Sequence, residues 1–269
     1  MGPDRFSQLL ALHHADTPLI VPNPWNAGSA RLLQWLGFTA LATTSSGFAS
    51  SLGRLDGAVS REETLEECGR IVEAVDIPVT ADLVNGFADD PAGVAAAVGD
   101  AIGVGLAGCS IEDFTGSEQS PIYDLELAVE RVAAAAQAAH AGERRLVLTA
   151  RAENYLHGAT DLNDTIARLQ AFQEAGADVV YAPGLTTAAD ISAVVSAVDV
   201  PVNVLLLAAG PSVAELGDLG VRRISVGGSL AYAALGALVD AASDLRAGAP
   251  DFWDLAKRGR DSARASFQP

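Results

Sequence analysis

Eight short apolar segments recur along the chain, and stretches with the spacing of amphipathic helices separate them. The apolar segments are residues 19–21, 40–43, 79–82, 108–112, 146–151, 179–182, 202–206 and 224–226, and the clearest helical spacing is in residues 61–75, 125–139 and 162–175. Strands that alternate with helices favour parallel pairing, and eight such units predict an α/β fold of the (β/α)8 type, the TIM barrel. A doubly wound open sheet is the alternative, because strand number alone does not prove closure.

Residues at the predicted helix ends agree with this alternation. Glycines that would need a positive φ follow three of the helices, at Gly37, Gly176 and Gly220. Side chains that cap helix N-termini precede three others, at Ser60, Asp124 and Asp161. No linker-like segment interrupts the series, so residues 1–269 are expected to form a single domain.

Two predicted helices lie outside the eight units. Residues 6–15 are expected to cover the floor of the barrel, and residues 250–265 to form an extra C-terminal helix. Phe252, Trp253 and Leu255 would leave an apolar side of the C-terminal helix in need of cover. This predicts a homo-oligomer, either a dimer or a tetramer.

The charge balance excludes several classes of partner. A net charge of −17 over 269 residues gives no basic surface for nucleic acid or an anionic membrane. The chain shows neither an apolar run of membrane-spanning length nor the pattern of a signal peptide, so a cytoplasmic protein is expected. Cys68 and Cys109 have no metal-ligand spacing, and Cys109 is interpreted as a small buried apolar residue.

Three consecutive predicted strands each end in a charged residue, namely Asp82, Glu112 and Arg151. The carboxyl ends of barrel strands meet at one rim, so these residues are expected to form an active site. Asp82 and Glu112 are hard oxygen ligands suited to Mg²⁺, and they would repel each other without a cation between them. Arg151 can hold a carboxylate substrate by two hydrogen bonds, or it can neutralise neighbouring acids.

Small polar residues follow the second predicted strand. They are expected to form a small polar turn in which the backbone N–H groups of Ser45, Ser46 and Gly47 could hold a carboxylate or an oxyanion, although such sequences usually form ordinary turns. Asp56 supplies a carboxylate a little further along the same loop.

Five ordered motifs give the chain a resemblance to the isocitrate lyase/phosphoenolpyruvate mutase superfamily. They are Thr44-Ser-Ser-Gly47, Gly53-Arg-Leu-Asp56, Ala81-Asp-Leu-Val-Asn-Gly-Phe87, Ile111-Glu-Asp113 and Ala150-Arg-Ala-Glu153. The resemblance implies a barrel whose terminal helix is often exchanged between subunits, dependence on Mg²⁺, and cleavage or formation of C–C or P–C bonds through the enolate of an α-keto acid.

Carried over by position, the resemblance also assigns roles to residues. Ser46 and Gly47 would bind a pyruvate-like unit and Arg151 would grip the substrate. Asp82 would ligate the metal directly, while Asp56 and Glu112 would join the water network around it. Asn203, on the seventh strand, fits a family asparagine that binds substrate.

The departures from the family narrow the chemistry. Val84 stands where a second acidic residue is common, which should weaken metal binding. Residues 114–123 replace a lid that carries cysteine in isocitrate lyases, and lysine with asparagine in mutases. The expected activity is therefore Mg²⁺-dependent C–C cleavage of a small α-keto or α-hydroxy carboxylate. The alternatives are a phosphoenolpyruvate or phosphonopyruvate mutase or hydrolase, and a barrel that binds a keto acid with little turnover.

Acid–base groups could come from elsewhere at the rim. The candidates are Glu118, Tyr123, Glu153, Tyr155 and His157. The imidazole of a histidine such as His157 suits proton transfer near neutrality, although a plain surface histidine is the favoured interpretation of this residue.

Overall fold

The computed structural model describes residues 4–267 as an eight-stranded parallel sheet flanked by helices. The strands are β1 (Leu19–Val21), β2 (Leu41–Ala42), β3 (Val79–Asp82), β4 (Gly108–Glu112), β5 (Val147–Arg151), β6 (Val179–Tyr181), β7 (Val202–Leu205) and β8 (Arg223–Ser225). Their order is β1-β8-β7-β6-β5-β4-β3-β2, so each strand from β2 to β7 neighbours the next one in sequence, and β1 pairs with β8.

The two ends of the sheet also meet. The backbone N–H of Ala42 in β2 donates to the carbonyl of Pro22, just after β1, at 3.2 Å. A doubly wound sheet would reverse its strand order and leave two open edges. The predicted (β/α)8 barrel is thus confirmed, and the open-sheet alternative is wrong.

The helices fill the connections and both ends of the described chain. They are α1 (Arg5–His13), α2 (Ala27–Trp35), α3 (Ser45–Ser51), α4 (Arg61–Ala74), α5 (Pro91–Gly103), α6 (Leu125–His140), α7 (Leu162–Glu174), α8 (Ala188–Ala197), α9 (Val213–Asp218), α10 (Ser229–Arg246) and α11 (Trp253–Ser266). The expected glycines end α2, α7 and α9 with φ of 93°, 103° and 88° at Gly37, Gly176 and Gly220.

Two local predictions were wrong. Asp124 precedes α6 but its side chain makes no capping hydrogen bond, unlike Ser60 and Asp161. The residues after β2 form the start of α3 rather than an isolated turn. Thr44 caps this helix by accepting the N–H of Gly47, which compensates for a sequence poor in strong helix formers.

The N-terminal helix closes the bottom of the barrel, as predicted. Leu9 of α1 is fully buried in a cluster with Leu19, Val147 and Val179, the first residues of β1, β5 and β6. Each such side chain contributes about 1.5–3 kcal/mol on burial. This plug leaves the opposite end, where the strands terminate, as the open mouth.

A histidine buried in this floor should make the fold sensitive to acid. Burial lowers the pKa of His13 to about 3 from an ordinary 6.5. The unfolded chain therefore takes up a proton near pH 6.5 that the folded chain refuses until about pH 3, so stability falls as pH decreases between those values. We expect His13→Gln to unfold with a visibly shallower pH dependence from pH 6.5 to 4 in urea titrations.

The histidine at position 14 provides the control for that experiment. His14 is exposed, and His14→Gln should leave the pH dependence as it is in the wild type. Equal slopes for the wild type and both variants would show that His13 does not carry this acid sensitivity.

The last two helices expose apolar side chains. Leu238 and Val239 of α10 and Trp253 of α11 are each more than 60% exposed, although α11 contacts α2 of the same chain. A homo-oligomer that covers these side chains, with or without helix exchange, stays a prediction. Among residues 4–267, no helix combines the length and the apolar character needed to cross a membrane.

Candidate active site

Arg151 lies at the centre of an acidic cluster at the barrel mouth. Its Nη1 is 2.9 Å from Asp82 Oδ1, its Nη2 is 3.1 Å from Glu112 Oε2, and its Nε is 2.7 Å from Glu153 Oε1. All four side chains are at most 17% exposed. Asp82, Glu112 and Arg151, which the sequence analysis expected at one rim, therefore lie together. Arg151 contacts the neighbouring acids, as one of its two interpretations predicted.

The cluster holds more negative than positive charge. Burial raises the pKa of Glu112 well above its ordinary value, which the Arg151 charge only partly offsets, and Glu153, Asp82 and Asp56 raise it further. Burial alone would lower the pKa of Arg151. The carboxylates of Glu153, Glu112 and Asp82 outweigh this effect and raise the pKa well above its ordinary range. One guanidinium therefore faces three carboxylates, and an additional cation would be electrostatically favoured.

Asp82 is oriented by hydrogen bonds to the start of α3, to the loop after β3 and to the residue that follows β2. Its Oδ2 accepts the N–H of Ser45 at 3.2 Å, and its Oδ1 accepts the N–H of Val84 at 3.2 Å. Its own N–H donates to the Thr43 hydroxyl. Val84 has a φ of 45°, an unusual conformation for a β-branched residue, so the backbone after Asp82 is strained beside the carboxylate.

Asp56 approaches the same carboxylate from the loop after α3. Desolvation raises the pKa of Asp56, and the negative charge of Asp82 raises it further, while a hydrogen bond from the Ser45 side chain acts in the opposite direction. The side chain lies at the edge of the cavity and is itself exposed. Asp56 and Asp82 thus line the same cavity at the barrel mouth.

The start of α3 offers fewer free amides than the resemblance implied. The N–H of Ser45 is taken by Asp82 and that of Gly47 by the Thr44 hydroxyl, at 3.2 and 3.3 Å. Ser46 lines the cavity, and its side chain lies 3.1 Å from the Thr44 hydroxyl. A ligand bound here would compete with these internal hydrogen bonds.

Two cavities meet at the acidic cluster. The inner cavity, of about 200 Å³, extends into the barrel, and Ser46, Thr149, Tyr181, Asn203, Arg223 and Ser225 are among its lining residues. The outer cavity, of about 650 Å³, opens toward solvent and is lined by Val84, Glu112, Phe114, Glu118, Glu153 and His157, among others. Asp56, Asp82 and Arg151 line both, so the cluster lies between the barrel interior and the lid.

The acid–base candidates separate into two groups. Glu118 and His157 line the outer cavity, where the His157 ring stacks on Phe114 with centroids 4.0 Å apart. Tyr123 instead donates to Asp89, and burial together with that bond raises its pKa to about 12. Tyr155 lines neither of these cavities. Of the five candidates, Glu118, Glu153 and His157 therefore line the outer cavity, and Glu153 is already paired with Arg151.

The Asp113 side chain connects the segments that carry the acidic cluster. Its Oδ1 accepts the N–H of Glu153 at 2.8 Å, and its Oδ2 accepts from Arg168 at 3.1 Å. Arg168 also donates to the carbonyl of Tyr123. Asp113 thus ties the end of β4 to the loop after β5 and to the base of the lid.

Sequence analysis missed two residues of the inner cavity. Tyr181 ends β6 with its ring 5.3 Å from the Arg151 guanidinium, and burial raises its pKa to about 12. Arg223 begins β8 and was placed just outside the predicted strand. An arginine directly beside a predicted apolar strand is the signal that could have revealed this residue.

Residues 9–246 match the family model described as phosphoenolpyruvate phosphomutase. The chain belongs to this family. Its structure superposes on the crystal structure of a candidate lyase/mutase from Burkholderia cenocepacia J2315 with a TM-score of 0.95, at 50% identity, over 98% of this chain and 96% of that chain. The predicted membership of the wider isocitrate lyase/phosphoenolpyruvate mutase superfamily is confirmed.

Other members of the superfamily have assigned activities. An oxaloacetate decarboxylase from Paraburkholderia xenovorans is 32% identical over 82% of this chain and 75% of that protein. The crystal structure of 2,3-dimethylmalate lyase shares 26% identity, with a TM-score of 0.84 over 93% of this chain and 90% of that chain. This phosphoenolpyruvate phosphomutase family member is accordingly an enzyme of a superfamily that includes lyases.

Proposed function

We propose that this protein is a Mg²⁺-dependent lyase that cleaves a C–C bond of a small α-keto or α-hydroxy carboxylate. The observation that carries the proposal is the buried cluster of Asp82, Glu112 and Glu153 around Arg151, at the junction of two cavities. The inner cavity, of about 200 Å³, suits a small acid. The activities of the relatives named above support this class of reaction.

The donor set at the mouth fits Mg²⁺. It consists of carboxylate oxygens, which Mg²⁺ prefers, and its net charge is negative. No three acidic, histidine or cysteine side chains of residues 4–267 are grouped tightly enough to form a metal cage. Mg²⁺ commonly takes one or two carboxylates and keeps several waters, so Asp82 would hold it directly and Glu112 and Asp56 through water.

The chain's own residues would position the substrate and move the proton. Arg151 fixes Asp82 and Glu112 in place, since each of its three nitrogens already contacts a carboxylate. A bound Mg²⁺ would supply positive charge where an enolate oxygen develops negative charge. Glu118 or His157, facing the outer cavity, would give or take the proton at the substrate carbon, in place of the lyase cysteine that the lid lacks.

Turnover of a small panel tests the proposal. Purified protein with Mg²⁺ is incubated with oxaloacetate, a 2-methylmalate-type acid or phosphonopyruvate, and release of pyruvate, glyoxylate and phosphate is followed. We expect Mg²⁺-dependent release of a keto acid from a C–C substrate, above the rate with Mg²⁺ alone. The Mg²⁺ blank matters because oxaloacetate decarboxylates slowly in solution.

The other outcomes would contradict C–C cleavage. Consumption of phosphonopyruvate alone, with phosphate release or with rearrangement to phosphoenolpyruvate, would assign P–C or mutase chemistry. No turnover, together with a higher melting temperature in the presence of one acid, would indicate a binding protein.

A further inference from the structure

Arg223 is a buried cation without a matching anion. It begins β8, is 5% exposed, and lines the inner cavity together with Arg151. The one hydrogen bond that residues 4–267 give its guanidinium joins Nη1 to the Thr149 hydroxyl at 2.7 Å, while its Nε–H is buried with no acceptor. A buried charge whose N–H groups lack acceptors destabilises the folded protein. A ligand from outside the chain that accepts these hydrogen bonds would remove that cost.

The other enclosed arginines differ from Arg223. Arg151 contacts three carboxylates, and Arg168 contacts Asp113 and Asp164. Arg131 lies over the Tyr123 ring at 4.0 Å and donates to the carbonyl of Asn85. Among the described residues, Arg223 has neither an acid within 4.0 Å nor an aromatic ring beneath it, which sets this arginine apart.

Among the described residues, no nearby titratable group is paired with Arg223: the Asp82 carboxylate lies beyond 4.0 Å and contacts Arg151. Burial lowers the pKa of Arg223 to about 10 against the opposing effect of the Asp82 charge, so the side chain is still positive at neutral pH. His13 on the barrel floor is neutral there, because burial lowers its pKa to about 3. Burial raises the pKa of the Cys109 thiol to about 12 and that of the Tyr181 hydroxyl to about 12, so both are protonated.

A neighbouring acceptor is also unmet. Asn203 pairs with Arg223 in the register of β7 and β8, lines the same cavity and is 2% exposed. Its Nδ2 donates to the Ser225 hydroxyl at 3.1 Å, but its Oδ1 has no partner among the described residues. A carboxylate would satisfy Arg223, and a hydroxyl group on the same ligand would satisfy Asn203.

We propose that Arg223 forms a second anion-binding subsite, which takes a carboxylate group of a dicarboxylate ligand inside the barrel. The choice of an organic acid rests on the proposed function. The subsite lies below the acidic cluster, so it would hold one end of the ligand while the other end reaches Asp82 and Arg151. It therefore selects acids with two anionic groups over acids with one.

Matched acids test the subsite without turnover. Malate and 2-hydroxybutyrate share a four-carbon 2-hydroxy acid skeleton and differ in the second carboxylate. With Mg²⁺ present, calorimetry should show that the wild type binds malate at least about tenfold more tightly, the effect of one charge-assisted pair. Arg223→Met should lose this preference by weakening malate alone, and Arg223→Lys should retain part of it.

Arg222→Met is the matched control. It removes the same charge one position earlier, where the side chain points away from the cavity and donates to the carbonyl of Asp16 at 3.1 Å. Its preference for malate should equal that of the wild type. Should Arg223→Met not fold, Arg223→Lys decides: a change in malate affinity alone supports the subsite.

Two results would overturn the subsite. One is a wild type without preference for malate. The other is a folded Arg223 variant in which both acids weaken equally, since that is the sign of a structural role. A protein that cleaves a C–C bond in the panel yet shows either result keeps its proposed function and loses only the subsite.

Discussion

Arg151→Met is expected to destabilise the fold by about 3–5 kcal/mol near neutral pH, the typical cost of removing one partner from a buried ion pair. The variant leaves Asp82, Glu112 and Glu153 together without their cation, and Glu153 is only 3% exposed. Loss of the Arg151 charge should then raise the pKa of Glu112 still further above its value in the unfolded chain. The folded variant would bind the extra proton, so the loss should shrink as pH falls toward 5. Urea unfolding at pH 7.5 and pH 5 measures both effects.

Arg54→Met is the control for this change. Arg54 pairs with Glu63 on the surface, where the two side chains are 43% and 39% exposed. Removing an exposed pair should cost less than about 1 kcal/mol. A loss for Arg151→Met as small as that of the control would mean that the central arginine does not hold the acidic cluster together.

Asp82→Ala is expected to abolish Mg²⁺-dependent turnover and the rise in melting temperature that Mg²⁺ produces. Loss of an outer partner of a metal site typically costs about 10–100-fold, and loss of a direct ligand should cost more. The apoprotein should fold normally, because the change removes one of three mutually repelling acids. Steady-state rates and thermal melts over a range of Mg²⁺ concentrations measure the effect.

Asp56→Asn separates direct from water-mediated binding. Asp56 lies at the edge of both cavities, so its loss should weaken the response to Mg²⁺ without abolishing it. Equal behaviour of the Asp82 and Asp56 variants would contradict the assignment of Asp82 as the direct ligand.

Much of the fold and the acidic cluster could be predicted from sequence because both follow from short-range patterns. Eight β/α units specify parallel neighbours, and the last residues of parallel strands meet at one rim. Asp82, Glu112 and Arg151 each end a strand, so their convergence needed no further information. Arg151 was expected among acids for the same reason, because the last residues of neighbouring strands lie side by side.

The parts that could not be predicted depend on tertiary contacts. The Ser/Gly-rich segment of α3 becomes helical through its Thr44 cap and the close approach of α10, where a Cβ on Gly47 would lie 3.1 Å from that of Ala231. The predicted eighth strand began one residue late, at residue 224, because the first residue of β8 is fixed by pairing with β1 and β7. Propensity gives no information on such pairing.

Calorimetric titration of Mg²⁺ into the wild type and into Asp82→Asn at pH 7.5 tests the central claim most directly. The account predicts one saturable site in the wild type, which disappears in Asp82→Asn while the variant stays folded. A wild type that binds no Mg²⁺, or a variant that binds it with unchanged affinity, would contradict the claim that the acidic cluster holds the cation on which C–C cleavage depends.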